Sequence, residues 1–190
     1  NEEAVAKYAK THNDADGVVF VSANTPCRNS EMFVDNIRMV EYFIKYIDPN
    51  KHIVYVSSDA VYADSIDPLN EESLCLPTSY HGLMHITREF MISHHFKRYA
   101  IVRPTLIYGS GDPHNGYGPN QFKRLAEIGN DIVLFGKGEE IRDHVPVSVV
   151  GRIIASAITR QLTGVFNAVS GHGISFHDIA DIVVSHVGGE

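Results

Sequence analysis

Two hydroxyl-bearing residues, Ser58 and Tyr80, are the positions in this sequence best suited to proton chemistry. Ser58 follows the apolar run at residues 53–57, and Tyr80 opens a stretch with helical spacing. A tyrosine phenol, which titrates near pH 10 in model peptides, can take and return a proton where its surroundings stabilise the phenolate. A serine hydroxyl at a strand end can hold a substrate oxygen beside it. The pair could form a proton relay, but taken alone the two residues are better explained as a serine that caps or turns a strand end and a tyrosine that packs at a helix start.

The elements that would position these two residues alternate between helix and strand. Helical spacing of apolar residues and short apolar runs, the marks of a parallel sheet covered on both faces, predict six elements up to Pro104. They are a helix at 2–12, a strand at 17–23, a helix at 31–47, a strand at 53–57, a helix at 80–96 and a strand at 99–103. The pattern therefore predicts the α/β class.

Beyond Pro104 the sequence becomes richer in glycine and proline. Residues 109–119 form a loop too long to be a mere connection, and loops of this length often bind ligands. The remaining pattern predicts a helix at 120–127, a strand at 132–135, a helix at 147–159, a strand at 165–168 and a helix at 175–186.

Composition excludes several classes of protein. The 190-residue chain carries a formal net charge of −7, which argues against a nucleic-acid partner. Its two cysteines form no CxxC pair, so we expect neither a disulfide framework nor a cysteine zinc site. A reducing, cytoplasmic setting is expected instead. The histidines lack paired metal-ligand spacing, so no metal is expected. No apolar run approaches the roughly 18 residues of a membrane span, so no membrane partner is expected.

Several motifs follow one another along the chain. Residues 54–62, Val-Tyr-Val-Ser-Ser-Asp-Ala-Val-Tyr, end a predicted strand with Ser-Ser-x-x-Val-Tyr, Tyr80 begins a predicted helix, and residues 103–109 read Arg-Pro-x-x-x-Tyr-Gly. Residues 118–122 read Gly-Pro-Asn-Gln-Phe, and residues 136–145 contain Gly-x-Gly followed by Arg-Asp. Together these motifs resemble the extended short-chain dehydrogenase/reductase superfamily, specifically the NAD-dependent sugar-nucleotide epimerase/dehydratase family, in which a tyrosine begins the corresponding helix. The last two segments resemble the family's sugar-nucleotide loop and its Gly-x-Gly, Arg-Asp element.

The resemblance implies a Rossmann-like, doubly wound parallel sheet with part of a small C-terminal substrate-binding region. Measured against the family pattern, the N-terminal βαβ portion with its glycine-rich turn is missing from this sequence. We therefore expect residues 1–109 to form a partial NAD(P)-binding Rossmann domain. Residues 110–190 would supply substrate-binding loops interleaved with the last Rossmann elements, within a single structural unit.

The resemblance also assigns roles to individual residues. NAD is the expected cofactor, with NADP not excluded, and the expected substrate is a nucleotide sugar. Catalytic roles fall on Tyr80, Ser58 and Asp59, and substrate binding falls on Asn120 and Arg142. The cofactor-binding residues would be Ala23, Asn36, Ser57, Tyr80, Pro104, Thr105 and Leu106. For Ala23 and Asn36, tight packing and solvation of a helix are alternatives. Relatives often dimerise through the tyrosine helix, so a homodimer is expected by analogy.

The sequence departs from the family pattern at two positions. Where the family has a lysine four residues after the tyrosine, this chain has Met84, whose thioether cannot replace an ammonium group. His81, His85 or Arg88 could supply another cation, or His85 and Arg88 could simply cover a solvated helix face. Ala60 stands where dehydratases have a glutamate, so a dehydratase is disfavoured, and Asp59 could act alone as an acid or merely fix its loop.

Two functions follow from these observations. The leading hypothesis is an NAD(P)-dependent nucleotide-sugar epimerase or reductase, an enzyme that transfers a hydride at a sugar carbon and uses a tyrosine as acid and base. The alternative is a catalytically weakened protein that binds the nucleotide sugar or the dinucleotide but lacks the active-site lysine.

Overall fold

The computed structural model describes residues 1–112 and 115–187. The chain forms two compact units. The first unit comprises Asn1–Pro104 and Gly151–Ala168, and the second comprises Thr105–Val150 and Val169–Glu190. The chain leaves the first unit after Pro104, returns to it at Gly151 for most of α5 and for β6, and leaves it again after Ala168.

Helices and strands alternate through most of the chain. In order, the elements are α1 (Glu2–Thr11), β1 (Gly17–Phe20), α2 (Ser30–Tyr46), β2 (His52–Val56), α3 (Tyr80–His95), β3 (Arg98–Pro104), β4 (Leu106–Tyr108), α4 (Pro119–Glu127), β5 (Ile141–Pro146), α5 (Val147–Thr159), β6 (Gly164–Ala168), β7 (Gly173–Ser175) and α6 (Phe176–Val187). A 3-10 turn at Asp59–Val61 follows β2.

The first unit is built on a parallel sheet with strand order β1-β2-β3-β6. β2 and β3 are nearly continuous apolar runs because both faces of a parallel sheet are covered. Helix α2 contributes Val40 and Phe43 to the core, and α3 contributes Ile92. The other buried members of this cluster are Val18, Phe20, Ile47, Ile53, Tyr55, Phe96 and Ile101.

The second unit contains a smaller three-stranded arrangement. β4 pairs with β5 in parallel, and β5 pairs with β7 in the antiparallel direction. Helices α4 and α6 pack on each other through Phe122, Phe176, Ile179 and Ala180. This unit carries the two motifs that resemble the sugar-nucleotide elements of the family.

The predicted α/β class and its parallel sheet are confirmed, but one predicted strand is wrong. Residues 132–135 form no strand, because Ile132 and Leu134 only pack against the Phe122 cluster and no backbone ladder pairs with them. The strands of this region are β5 and β7, which the sequence pattern did not predict because β5 carries charged and imidazole side chains. Within the described residues, no helix combines the length and apolar character needed to cross a membrane.

Candidate active site

The polar residues that follow β2 are arranged by the 3-10 turn. Ser58 is the N-cap of this turn, and its Oγ accepts a hydrogen bond from the Ala60 N–H at 3.2 Å. The same hydroxyl donates to Oδ1 of Asp59 at 3.2 Å. Both side chains are half-buried, so the carboxyl end of β2 presents a fixed hydroxyl and a carboxylate that remain partly accessible.

Tyr80 is the first residue of α3, and its side chain is 45% exposed. The helix is capped by Ser79, whose Oγ accepts from the Gly82 N–H at 3.1 Å. Gly82 lets this first turn approach the 3-10 turn closely, since a Cβ built on it would overlap the carbonyl oxygen of Ala60. The structure therefore packs the helical turn of Tyr80 directly against the turn that Ser58 caps.

The residue one helical turn after Tyr80 is fully buried. Met84 has no exposed surface, and its Sδ lies 3.8 Å from Nη1 of Arg88, which is also fully buried. His85 is buried as well. The idea that His85 and Arg88 cover a solvated helix face is therefore wrong, because this face of α3 packs on the sheet rather than meeting water.

Of the three cations considered as substitutes for the lysine, only Arg88 keeps its charge. Burial, reinforced by the nearby charges of His81 and Arg88, lowers the pKa of His85 to about 3. Its Nδ1 lies 2.7 Å from the hydroxyl of Tyr55. Burial also lowers the pKa of His81, against the opposing effect of Asp59. Burial lowers the pKa of Arg88 too, but a guanidinium remains protonated in proteins.

A buried ion pair between Glu89 and Arg103 lies next to Ser57. The Ser57 hydroxyl donates to Oε1 of Glu89 at 2.5 Å, and Arg103 donates to both carboxylate oxygens of Glu89 at 3.0 and 2.6 Å. Arg103 also donates to the Tyr62 hydroxyl at 2.8 Å, which in turn donates to Asn167 at 2.8 Å. Burial alone would lower the pKa of Arg103, but its bonds to Glu89 and Tyr62 raise it above the usual value. We name these five residues the Glu89 network.

The Glu89 network was not predicted from the sequence as a unit. Arg103 and Ser57 belong to sequence motifs, whereas Glu89 lies on a helix whose apolar pattern does not predict a buried carboxylate. The only available signal was a glutamate on the same helical face as His85 and Ile92. The network joins the ends of three neighbouring strands, β2, β3 and β6, to α3.

The segment after β1 is held from two directions. The fully buried Asn36 accepts from the Asn24 N–H and donates to the Asn24 carbonyl, both at 2.9 Å, and donates to the Met32 carbonyl at 2.8 Å. Nη2 of Arg88 donates to the Ser22 carbonyl at 2.8 Å. Ala23 lies between these two anchors and is half-buried. Asn36 thus fixes the loop rather than solvating a helix.

The three residues at 104–106 differ in their surroundings. In the first unit, Pro104 is buried at the end of β3, where it pairs with Ala168. In the second unit, Thr105 is buried and donates through Oγ1 to the Asp143 carbonyl at 2.9 Å. Leu106 begins β4 and is partly exposed.

Asn120 and Arg142 both lie in the second unit. Asn120 is the second residue of α4, accepts from the Gly109 N–H at 3.3 Å and donates to Oδ2 of Asp112 at 2.9 Å. Arg142 lies on β5 with an exposed side chain, and its Nε donates to Glu140 at 2.6 Å.

Asp143, the second residue of the predicted Arg-Asp element, has a role that the sequence did not reveal. Its carboxylate accepts from the backbone N–H groups of Ser170, Gly171 and His172 at 2.7 to 3.0 Å. It therefore anchors the loop before β7. Across residues 1–112 and 115–187, no cluster of three histidine, cysteine or carboxylate side chains has a metal-binding arrangement.

Comparison with known structures gives similar folds over nearly the whole chain. UDP-N-acetylglucosamine 4-epimerase from Bacillus cereus matches with a TM-score of 0.84 and 22% identity, covering 100% of this chain and 69% of the epimerase. UDP-glucose 4-epimerase from Thermus thermophilus, solved in complex with NAD, matches with a TM-score of 0.80 and 18% identity, covering 99% of this chain and 67% of that epimerase. ADP-L-glycero-D-manno-heptose-6-epimerase from Helicobacter pylori matches with a TM-score of 0.80 and 22% identity, covering 99% of this chain and 62% of that epimerase.

The chain therefore spans between 62% and 69% of the length of these three structures, and at such identities the likeness establishes the fold. Comparison with curated protein sequences gave no significant match. A family model described as the NAD dependent epimerase/dehydratase family matches residues 1–169. Together with the Rossmann-like sheet and the packing of the Tyr80 turn on the Ser58 turn, this match confirms the resemblance, and the chain belongs to the NAD-dependent epimerase/dehydratase family.

Proposed function

We propose that the protein is an NAD-dependent nucleotide-sugar epimerase or reductase that transfers a hydride at a sugar carbon, with Tyr80 as its acid and base. The observation that carries this proposal is the packing of the Tyr80 turn against the turn of Ser58 and Asp59. NAD, when bound, accepts the hydride and can return it. NADP is the alternative cofactor.

The segment at the carboxyl end of β1 fits a dinucleotide. Ligands of open parallel sheets bind outside the carboxyl ends of the strands. Here Asn36 and Arg88 fix the backbone on either side of Ala23, while Ser22 and Asn24 remain exposed. The family resemblance also assigns Tyr80, Pro104, Thr105 and Leu106 to the cofactor. Ser57 would contribute by holding its strand end, since its hydroxyl and its N–H are occupied by Glu89 and Val102.

Proton transfer is assigned to the residues at the end of β2 and the start of α3. Tyr80 takes the proton of the sugar hydroxyl and later returns it. The Ser58 oxygen accepts from Ala60 and keeps a second lone pair for the substrate hydroxyl. Asp59 acts as a positioning residue, because it accepts the Ser58 hydroxyl and thereby sets the direction of its lone pairs.

Substrate anchoring is assigned to the second unit. The guanidinium of Arg142 is partly exposed and suits a diphosphate, which arginine binds through two parallel hydrogen bonds. Asn120 lies at the start of α4, where backbone N–H groups and the helix dipole favour negative charge. The substrate class is therefore a nucleotide sugar.

The decisive experiment incubates the purified full-length protein with a panel of nucleotide sugars and NAD, and identifies products by NMR. Tyr80→Phe should abolish turnover while nucleotide-sugar binding persists. Tyr8→Phe is a matched control, because Tyr8 is similarly exposed, at 49%, on α1. Undiminished turnover in Tyr80→Phe would remove the assignment.

A second candidate function rests on the complete burial of Met84. Without a lysine there, the protein would be a catalytically weakened nucleotide-sugar or dinucleotide-binding protein. Binding without conversion by the wild type, together with activity gained in Met84→Lys, would support this second function. Conversion by the wild type would exclude it.

A homodimer and a cytoplasmic location complete the proposal. Val34 on α2 and Leu83 and Phe90 on α3 are exposed apolar side chains, and these two helices pack side by side. A second copy of the chain would cover these side chains. Phe90→Glu should then yield monomers in light scattering, and a wild type that is already monomeric would contradict the dimer. The two free cysteines suit a reducing compartment.

A further inference from the structure

Arg88 is a fully buried cation without an acidic partner. The chain's other buried arginine, Arg103, forms an ion pair with Glu89 in which both side chains are 5% exposed. Among the ion pairs of the described residues, none includes Arg88. Its Nε also lacks a hydrogen-bond partner. Burial of an uncompensated charge is costly in general, and a neutral donor could hold the Ser22 carbonyl, so the retained charge points to a role beyond that hydrogen bond.

Aromatic rings hold the guanidinium in place. Its Cζ lies 4.6 Å from the ring centroid of Phe20 and 5.5 Å from that of Tyr55. The negative faces of aromatic rings attract a cation but do not neutralise it. The positive charge of Arg88 therefore remains available to act on its surroundings.

The Arg88 side chain points toward the N-terminus of α3, which places its charge about one helical turn before the Arg88 Cα. Long side chains on a helix point toward its N-terminus, and Nη1 of Arg88 accordingly lies 3.8 Å from the Met84 sulfur. Tyr80, Met84 and Arg88 follow one another at intervals of four residues on one face of α3. The guanidinium thus lies at the level of residue 84, and its Nη2 binds the Ser22 carbonyl beside Ala23.

We propose that Arg88 supplies, from one turn further along α3, the positive charge that the family pattern places at residue 84. This inference rests on the proposed function. Arg88 is a positioning residue. Across the buried side chain of Met84, its positive charge would act on the nicotinamide, when bound, and on the phenolate of Tyr80. Exclusion of water by the bound cofactor strengthens this field.

Three variants separate charge from hydrogen bonding. Arg88→Gln removes the charge and keeps an N–H donor for Ser22, Arg88→Met removes both, and Arg88→Lys keeps the charge. Arg38→Gln is the matched control, since Arg38 is an exposed arginine on the neighbouring helix α2. If Arg88→Met fails to fold, the Gln and Lys variants still decide the question.

The first readout does not depend on activity. The oxidised nicotinamide ring carries a positive charge that NADH lacks, so a nearby cation weakens NAD binding relative to NADH. At an effective dielectric constant of about 20, two unit charges roughly 12 Å apart change a binding constant about tenfold, which sets the scale expected here. The ratio of the NAD to the NADH dissociation constant, measured by calorimetry, should fall about tenfold in Arg88→Gln and Arg88→Met and stay at the wild-type value in Arg88→Lys and Arg38→Gln.

The second readout is the pH profile of turnover. Loss of the charge should move its acidic limb upward by about one pH unit, and Met84→Lys added to Arg88→Gln should move it back. A ratio that stays at the wild-type value in Arg88→Gln, or changes only in Arg88→Met, overturns the proposal. If Tyr80→Phe proves fully active, the proposed function fails, while the NAD to NADH ratio still tests Arg88.

Discussion

Gly82 is the position where one methyl group should have the largest effect on the candidate site. A Cβ there would overlap the carbonyl oxygen of Ala60, lie 2.9 Å from the carbonyl carbon of Ala60 and 2.7 Å from Cβ of Pro77. Real Cβ atoms essentially never come closer than 3.0 Å to other atoms. Since the obstacle is mainly backbone, a side-chain rotation cannot relieve it, and α3 must move away from the turn at Asp59–Val61.

The magnitude follows from two opposing contributions. Overpacking of this kind costs about 1–3 kcal/mol, with the upper end expected where backbone must move. Alanine is favoured over glycine inside a helix by up to about 1 kcal/mol, which offsets part of that cost. Gly82→Ala should therefore lower the free energy of unfolding by about 2 kcal/mol. Displacement of Tyr80 from Ser58 by about 1 Å should lower turnover on the order of 100-fold.

Gly151 in α5 is the matched control, because a Cβ there would meet nothing within 4 Å. Gly151→Ala should raise the free energy of unfolding by about 0.5–1 kcal/mol through helix propensity alone. Urea unfolding followed by circular dichroism, together with the turnover assay, measures both variants. If Gly82→Ala is stabilised like Gly151→Ala and keeps full turnover, the close approach of α3 to the 3-10 turn does not exist as described.

Two further predictions concern buried ionisable groups. Glu89→Gln leaves Arg103 buried without its counter-charge and should lower the free energy of unfolding by about 3–5 kcal/mol. The control Glu127→Gln removes a charge from the exposed pair with Lys123 and should change this free energy little. Equal effects of the two variants in urea unfolding would refute this prediction. The pKa of His85 is about 3 in the folded protein against about 6.5 unfolded, so the unfolded chain takes up a proton first. Stability contributed by neutral His85 is therefore present above pH 6.5 and falls in acid by about 2 kcal/mol between pH 7 and pH 5. His85→Gln should lack this component, and equal losses in wild type and variant would contradict it.

The sequence predicted the elements whose signal is local. The apolar runs of β2 and β3 and the start of α3 at Tyr80 follow from the spacing of apolar residues. Their alternation was sufficient to predict a parallel sheet, and the carboxyl ends of its strands are where Ser58 was expected to act.

The sequence failed where distant residues determine the environment of a side chain. Arg88 resembles a solvated helix residue because nothing nearby in the chain indicates that Phe20 and Tyr55, from two separate strands, form the aromatic surface beneath it. Glu89 gives no sign of its pairing with Arg103, 14 residues later. At 132–135, an apolar run long enough for a strand found no partner strand to pair with.

The Glu89 network limits how this region can be redesigned. Its residues come from five different places in the chain, yet each one satisfies the hydrogen bonds of another. A designer who transplanted the β2 end into a new scaffold would have to bring a glutamate on the packed helix and an arginine on the next strand with it. Exchange of Glu89 or Arg103 alone would leave the other charge buried without its partner, whereas simultaneous replacement by a matched apolar set would not. The five residues therefore act as one unit, and engineering of the neighbouring loops should either keep all five or replace all five together.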